Sequence, residues 1–250
     1  MSIRPALALL LVCLGSAPAT AQIFNNLLSP VLEIWVRSQV QQVEDLRVTV
    51  RGPDREIANG RIQGITFNGR NVLYKGISAS QVNLSGTNIA LNTAGALRGE
   101  GLKLLQPVRT DLSLRLTQQD VNAYLDSPGF QEQIRDLSVP LPATLGGTGQ
   151  SVPLEIRQPD ARLEPGRFVL MATLRVNQGE PTRTQLTTGI ELVSPRQLRL
   201  VNPRLLSSGE QVSIPALAGL TINLGSEMEA RRIEIQSGLL FLEGSFRLET

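Results

Sequence analysis

The chain has 250 residues, a formal net charge of +2, no histidine, and a single cysteine, Cys13, inside its first apolar run. Without His, and with no Cys beyond that run, it lacks the material for a Ser-His-Asp triad, a thiol nucleophile, a disulfide frame or an ordinary zinc site. The near-neutral balance does not suit nucleic acid, and the basic residues are arginines apart from Lys75 and Lys103.

Arg4, the apolar run ALALLLVCL (6–14) and Ala19-Thr20-Ala21 have the order of a secretory signal ending at residue 21. The run is too short for a bilayer span, which needs about 18 or more apolar residues. The remainder, 22–250, is expected to be one exported domain.

FNNLLSPVLEIWVRSQVQQVEDL (24–46) then spaces Leu28, Val31, Leu32, Trp35, Val36, Val40 and Val43 by threes and fours. With Ser29 as a cap and Pro30 in the first turn, this predicts a long amphipathic helix through Leu46. From RVTVRG (47–52) the period changes to two. ITFNGRNVLY (65–74) is repeated in apolar/polar pattern by VNLSGTNIAL (82–91) at an offset of seventeen, Phe67 answering to Leu84 and Tyr74 to Leu91. Asn or Ser before Gly in each copy reads as two successive hairpins, whose sheet has one dry and one wet face.

Strand TDLSLRL (110–116) is followed by Thr117 and Asp120 in capping-box spacing, which opens a short helix through VNAYL (121–125). FQEQIRDL (130–137) is a second short helix, and the Pro/Gly-rich 140–153 a loop. The last hundred residues return to strands, with a helical turn near 213–228. Leu163, Gly166, Phe168, Leu170, Leu174 and Val176 are echoed at an offset of 72 by Ile235, Gly238, Leu240, Leu242, Phe246 and Leu248. The expected fold class is therefore α+β: a long N-terminal helix packed on a strongly curved, mostly antiparallel sheet. The pattern leaves open whether the space between them is a packed core or an apolar groove.

LLSPVLEIWVRSQV, GRIQGITFNGRNVLYKGISASQVNLSGTNIALN, ALRGEGLKLLQPV and LSLRLTQQDVNAYLDSPGFQ together resemble the LmeA-type family of bacterial phospholipid-binding proteins, in its cyanobacterial branch. The likeness covers most of 27–131 and, more loosely, RIEIQSGLLFLEGSFRL; Asp120-Val121-Asn122 departs from the usual Asp-Leu-Asn. The resemblance implies a fold similar to the tubular lipid-binding superfold, no catalytic residue, no cofactor and no metal. It implies a phospholipid or other acyl lipid as partner, transient contact with a membrane surface, and a place in the periplasm or thylakoid lumen. The residues expected to meet acyl chains are Leu28, Val31, Leu32 and Trp35 on the helix, and Phe67, Tyr74, Leu84 and Leu91 on the sheet. Lys75, Arg98 and Lys103, in or beside Gly-containing loops, are the candidates for a phosphate headgroup. Two other readings stand beside this one. One is a non-catalytic envelope scaffold with a filled core; the other is a carboxylate-only glycan hydrolase, for which no Asp/Glu pair stands out.

Overall fold

The computed structural model describes residues 23–93, 95, 101–135, 138–140, 151–176, 179–207, 209–219 and 221–248. The expected signal, Arg98 and most of the 140–153 loop lie outside them. In chain order the elements are α1 (Ile23–Gln39), β1 (Gln42–Arg51), α2 (Asp54–Ala58), β2 (Arg61–Tyr74), β3 (Ile77–Ala90) and β4 (Val108–Thr117). There follow α3 (Gln118–Leu125), α4 (Pro128–Ile134), β5 (Ser138–Pro140), β6 (Ser151–Glu164), β7 (Arg167–Val176) and β8 (Thr182–Ser194). The chain closes with β9 (Gln197–Ser207), β10 (Glu210–Ser213), α5 (Pro215–Ala218), β11 (Thr221–Asn223), β12 (Met228–Gln236) and β13 (Leu239–Leu248).

The expected α+β class is overturned. The described chain is mostly antiparallel β, in two sheets rather than one. Six strands run in the order β1-β2-β3-β4-β13-β12, and seven form β10-β9-β8-β7-β6-β5 with β11 on β9. The helices are short beside them. The first has 17 residues and stops at Gln39 instead of continuing to Leu46. Helical spacing in QVQQVEDL loses to pairing with β2: Gln42 faces Leu73, Val48 faces Phe67, and alternate residues Leu46, Val48 and Val50 are buried. Tertiary pairing thus overrides a local period that both structures could use.

The doubled stretch forms one hairpin, not two. Its halves are opposite strands, with Phe67 facing Leu84 and Gly69 facing Val82. The turn is Lys75-Gly76, both at positive φ (48° and 79°), the backbone of a two-residue type I′ connection. Gly69 and Gly86 sit mid-strand on the dry face because neighbours crowd there. A Cβ on Gly69 would stand 3.0 Å from methyls of both Val43 and Val72, and one on Gly86 would stand 3.1 Å from Thr110. Asn71 and Asn88, equivalent in the repeat, both have positive φ (47° and 54°). They are local twists in long strands, where Asn tolerates a conformation most side chains avoid.

The echo at offset 72 also acquires a structural meaning. It relates the β6–β7 hairpin to the β12–β13 hairpin, and the two turns meet. Gly166 N–H donates to Ile235 O and Gly238 N–H donates to Leu163 O, each at 2.9 Å. Because 163 corresponds to 235 and 166 to 238, the two bonds are exchanged by a local twofold. The sheets are joined there, and again where Ala230 N–H donates to Pro195 O at 2.6 Å.

α3 rivets the same junction. Thr117 and Asp120 form the expected reciprocal capping box. Asp120 also accepts from Ser78 Oγ (2.8 Å) and Ser80 N–H (3.1 Å) on β3. On the other side, Asn122 accepts from Ala161 N–H (2.7 Å) and donates to Asp160 (3.1 Å), both on β6.

Candidate functional site

The ladder of the six-stranded sheet aligns apolar residues into rows on one face. Val48, Phe67, Leu84 and Leu112 follow one another across β1 to β4, and Val82, Leu114 and Leu242 form the adjoining row. The opposite face carries Arg51, Thr66, Asn83, Ser85, Asp111 and Arg115, so the dry-and-wet alternation read from the sequence holds.

The dry face is covered unevenly. At its β1–β2 end α1 closes it. Leu32 is 2% exposed and packs in one cluster with Val48, Val50, Ile65, Phe67 and Leu91, while Leu28, Val36 and Leu84 border it. Across β4, β13 and β12 a second cluster has only Leu112, Ala230 and Leu242 buried. Around them Leu114, Leu224, Met228, Leu240 and Phe246 remain half-exposed, joined by Leu192 from the second sheet. No described α1 side chain belongs to this cluster. The echo carries the same apolar pattern onto β7, where Phe168, Leu170, Leu174 and Val176 are half-buried. What results is an apolar surface that starts over β4 and β13 and passes to the second sheet at Leu192.

Of the residues expected to contact acyl chains, Leu28, Leu32, Phe67, Leu84 and Leu91 are brought together, in the cluster that α1 covers. Leu84 borders the half-exposed surface as well. Val31 points outward at 41% exposure, and Trp35 is half-buried but is not among the side chains packed on that cluster. Tyr74 lies at the hairpin turn, with its ring edge-on to Phe246 at 6.4 Å. Leu114, Leu192, Leu224, Met228, Leu240 and Phe246 were missed. Alternation in TDLSLRL and GLLFLEGSF marks some of them as inward-facing. Nothing in those stretches says that β13 lies beside β4, which is what assembles the surface.

The headgroup candidates separate. Lys75 Nζ lies 3.2 Å and 3.3 Å from the two carboxylate oxygens of Glu227 and 5.1 Å from the centre of the Tyr74 ring. Tyr74, and after it Glu227, hold the Lys75 ammonium above its ordinary pKa. Lys103 is at the other end of β3, where its N–H donates to Asn92 Oδ1 at 2.5 Å and Leu104 bridges to Leu91. Arg98 lies outside the described residues.

A hollow of about 370 Å³ opens on the wet face instead, lined by Arg51, Gly64, Ser85, Thr87, Arg109 and Asp111. Its charges are largely spoken for, since Arg109 pairs with Glu229 and Asp111 with Arg231. Among the described residues no helix is long and apolar enough to cross a membrane. The arrangement offers apolar contact area and a few cations.

Neither the curated proteins nor the solved structures hold a match to the chain. The LmeA-like phospholipid-binding family does match it, over residues 19–245. An apolar sheet face that its own helix leaves half-open agrees with that match, which spans nearly the whole chain: the protein belongs to the LmeA-like phospholipid-binding family.

Proposed function

We propose that this is an exported, non-catalytic phospholipid carrier or holder of the cell envelope, in the periplasm or thylakoid lumen. In this reading it meets the membrane surface transiently, and acyl chains lie on the half-exposed apolar face over β4, β13 and β12. The observation that supports this most is the contrast within one sheet. Beneath α1 most of the apolar side chains are buried, whereas Leu114, Leu240, Met228 and Phe246 are only partly buried, and no described α1 side chain packs with them. The magnitudes agree with the task. Each CH₂ moved out of water is worth about 0.8 kcal/mol, so a chain of about fifteen resists exposure by on the order of 12 kcal/mol. A carrier offsets that with apolar lining and needs neither metal nor nucleophile.

The filled space at Leu32 also favours one part of the scaffold reading, in which the region under α1 serves packing alone. In the proposed reading the lipid then lies on the other half of the face.

Leu240→Gln puts an amide on that half, opposite Leu116 and Ile235. Binding of a fluorescent phospholipid by this variant is expected to weaken about tenfold, equivalent to about 1.4 kcal/mol, while the far-UV CD spectrum stays unchanged. Undiminished affinity would remove β13 from the site.

A further inference from the structure

The six-stranded sheet closes over its dry face at one thin seam. By register Phe246 faces Thr110, which faces Gly86, and Gly86 is far along β3 from the Lys75-Gly76 turn. The rings of Tyr74 and Phe246 nevertheless meet edge-on at 6.4 Å with an interplanar angle of 85°. The tip of the β2–β3 hairpin therefore arches across the dry face to the opposite border of the sheet. Lys75 grips Glu227 there, and Arg247 N–H donates to the Glu227 carbonyl at 2.8 Å, fixing that residue beside β13.

Elsewhere in this sheet neighbours are held by continuous ladders of backbone bonds. Across the seam, among the described residues, no backbone hydrogen bond joins the tip to Glu227 or Phe246. Among the described residues the side-chain contacts that span it include an ion pair with both partners solvent-accessible and an edge-on ring pair. The first is weak and screened by salt, and the second is modest. Phe246 and Met228, which faces it across the β12–β13 ladder, are members of the half-exposed apolar cluster.

We propose that this seam is the mouth of the lipid site, with the phosphate of an incoming two-chain amphiphile taking Lys75 from Glu227 as the hairpin tip lifts. This inference rests on the lipid-binding reading above. The chemistry fits both ends of such a ligand. Lifting the tip uncovers the apolar surface that hydrocarbon needs, and it frees an ammonium whose present partner is an anion. A phosphate offers that ammonium the same charge and more acceptor oxygens. No ladder bond breaks, so opening leaves the sheet intact.

The test uses vesicles of phosphatidylglycerol carrying a fluorescent phospholipid, with Lys75→Cys and Glu227→Cys combined with Cys13→Ser, which removes the only other thiol. Joined by a short bis-maleimide, this protein is expected to take up the probe at least ten times more slowly than the same variant capped with N-ethylmaleimide. Lipid loaded before joining should be retained. Equal rates for joined and capped protein would overturn the seam while leaving the binding reading in place. A wild-type protein that takes up no lipid would overturn both. Glu227→Gln, which leaves the backbone alone, is expected to speed uptake by up to about fivefold at low ionic strength and by little in high salt. An unchanged low-salt rate would contradict the proposal.

Discussion

Asp120 shows how much one carboxylate can organise. It is buried, at 9% exposure, and burial by itself would raise its pKa. Donors from Thr117, through hydroxyl and N–H, and from Ser78 and Ser80 outweigh that and hold the carboxyl below its ordinary value of 3.8. A depressed folded pKa means the carboxylate's contribution is complete above the ordinary value and is lost as pH falls below it, through the folded value. Asp120→Asn keeps the size but turns an acceptor of four bonds into a group that must also donate. Urea unfolding at pH 7 is expected to show a loss of about 1–3 kcal/mol, and the gap to wild type should narrow as pH falls below the ordinary value of 3.8. A gap that stays constant with pH would show that the charge is not what stabilises. The capping box was legible from Thr117 and Asp120 alone, since Ncap-to-N3 spacing is local. Its second task, tying β3 to α3 through Ser78 and Ser80, was not, because those partners are some forty residues away in sequence.

At the scale of the element, the strands declared themselves by period and the turns misled. Asn68-Gly69 and Ser85-Gly86 have turn composition, yet both glycines lie inside strands where a side chain would strike a neighbour. Lys75-Gly76 carries the reversal. The two explanations of Gly69 make different demands. A turn glycine is needed for its backbone angle, but Gly69 is not among the residues at positive φ; it is needed for space, with Val43 and Val72 each 3.0 Å from the position of a Cβ. Gly69→Ala is therefore expected to cost about 1–3 kcal/mol by crowding, and trimming Val72→Ala in the same chain should recover part of the loss. Additive losses in thermal or urea unfolding would rule out the crowding account. The helix boundary failed for a related reason. Val40 and Val43 continue the spacing of α1, and only the existence of β2 opposite makes residues from Gln42 extended. The expected opening at Ser29 and Pro30 was wrong as well, since α1 begins at Ile23 and holds both residues in its interior; only the amphipathic spacing of its middle was read correctly.

For the whole molecule, the composition excluded much chemistry and pointed to burial of apolar surface, and the family match agrees. The existence of a dry face was readable from alternation in β2, β3 and β4. Its division into a closed half under α1 and a half-open one over β4, β13 and β12 was not, because the last hairpin joins the first sheet across more than a hundred residues. The fold class failed at the same step. One curved sheet was expected where the echoed hairpins build two, joined turn to turn about a local twofold at Leu163, Gly166, Ile235 and Gly238. The pairing of Leu28, Leu32, Phe67 and Leu91 was anticipated, but as lining, whereas the structure packs them.

The claim on which the rest depends is that the open half of the dry face exists to hold acyl chains. Native mass spectrometry of the purified protein, followed by extraction and identification of whatever it carries, tests it most directly. The expected result is a population heavier than the bare chain by the mass of a phospholipid, reduced by Leu240→Gln and restored in wild type on incubation with phospholipid vesicles. A wild-type chain found only at its bare mass, and unchanged after that incubation, would contradict the account.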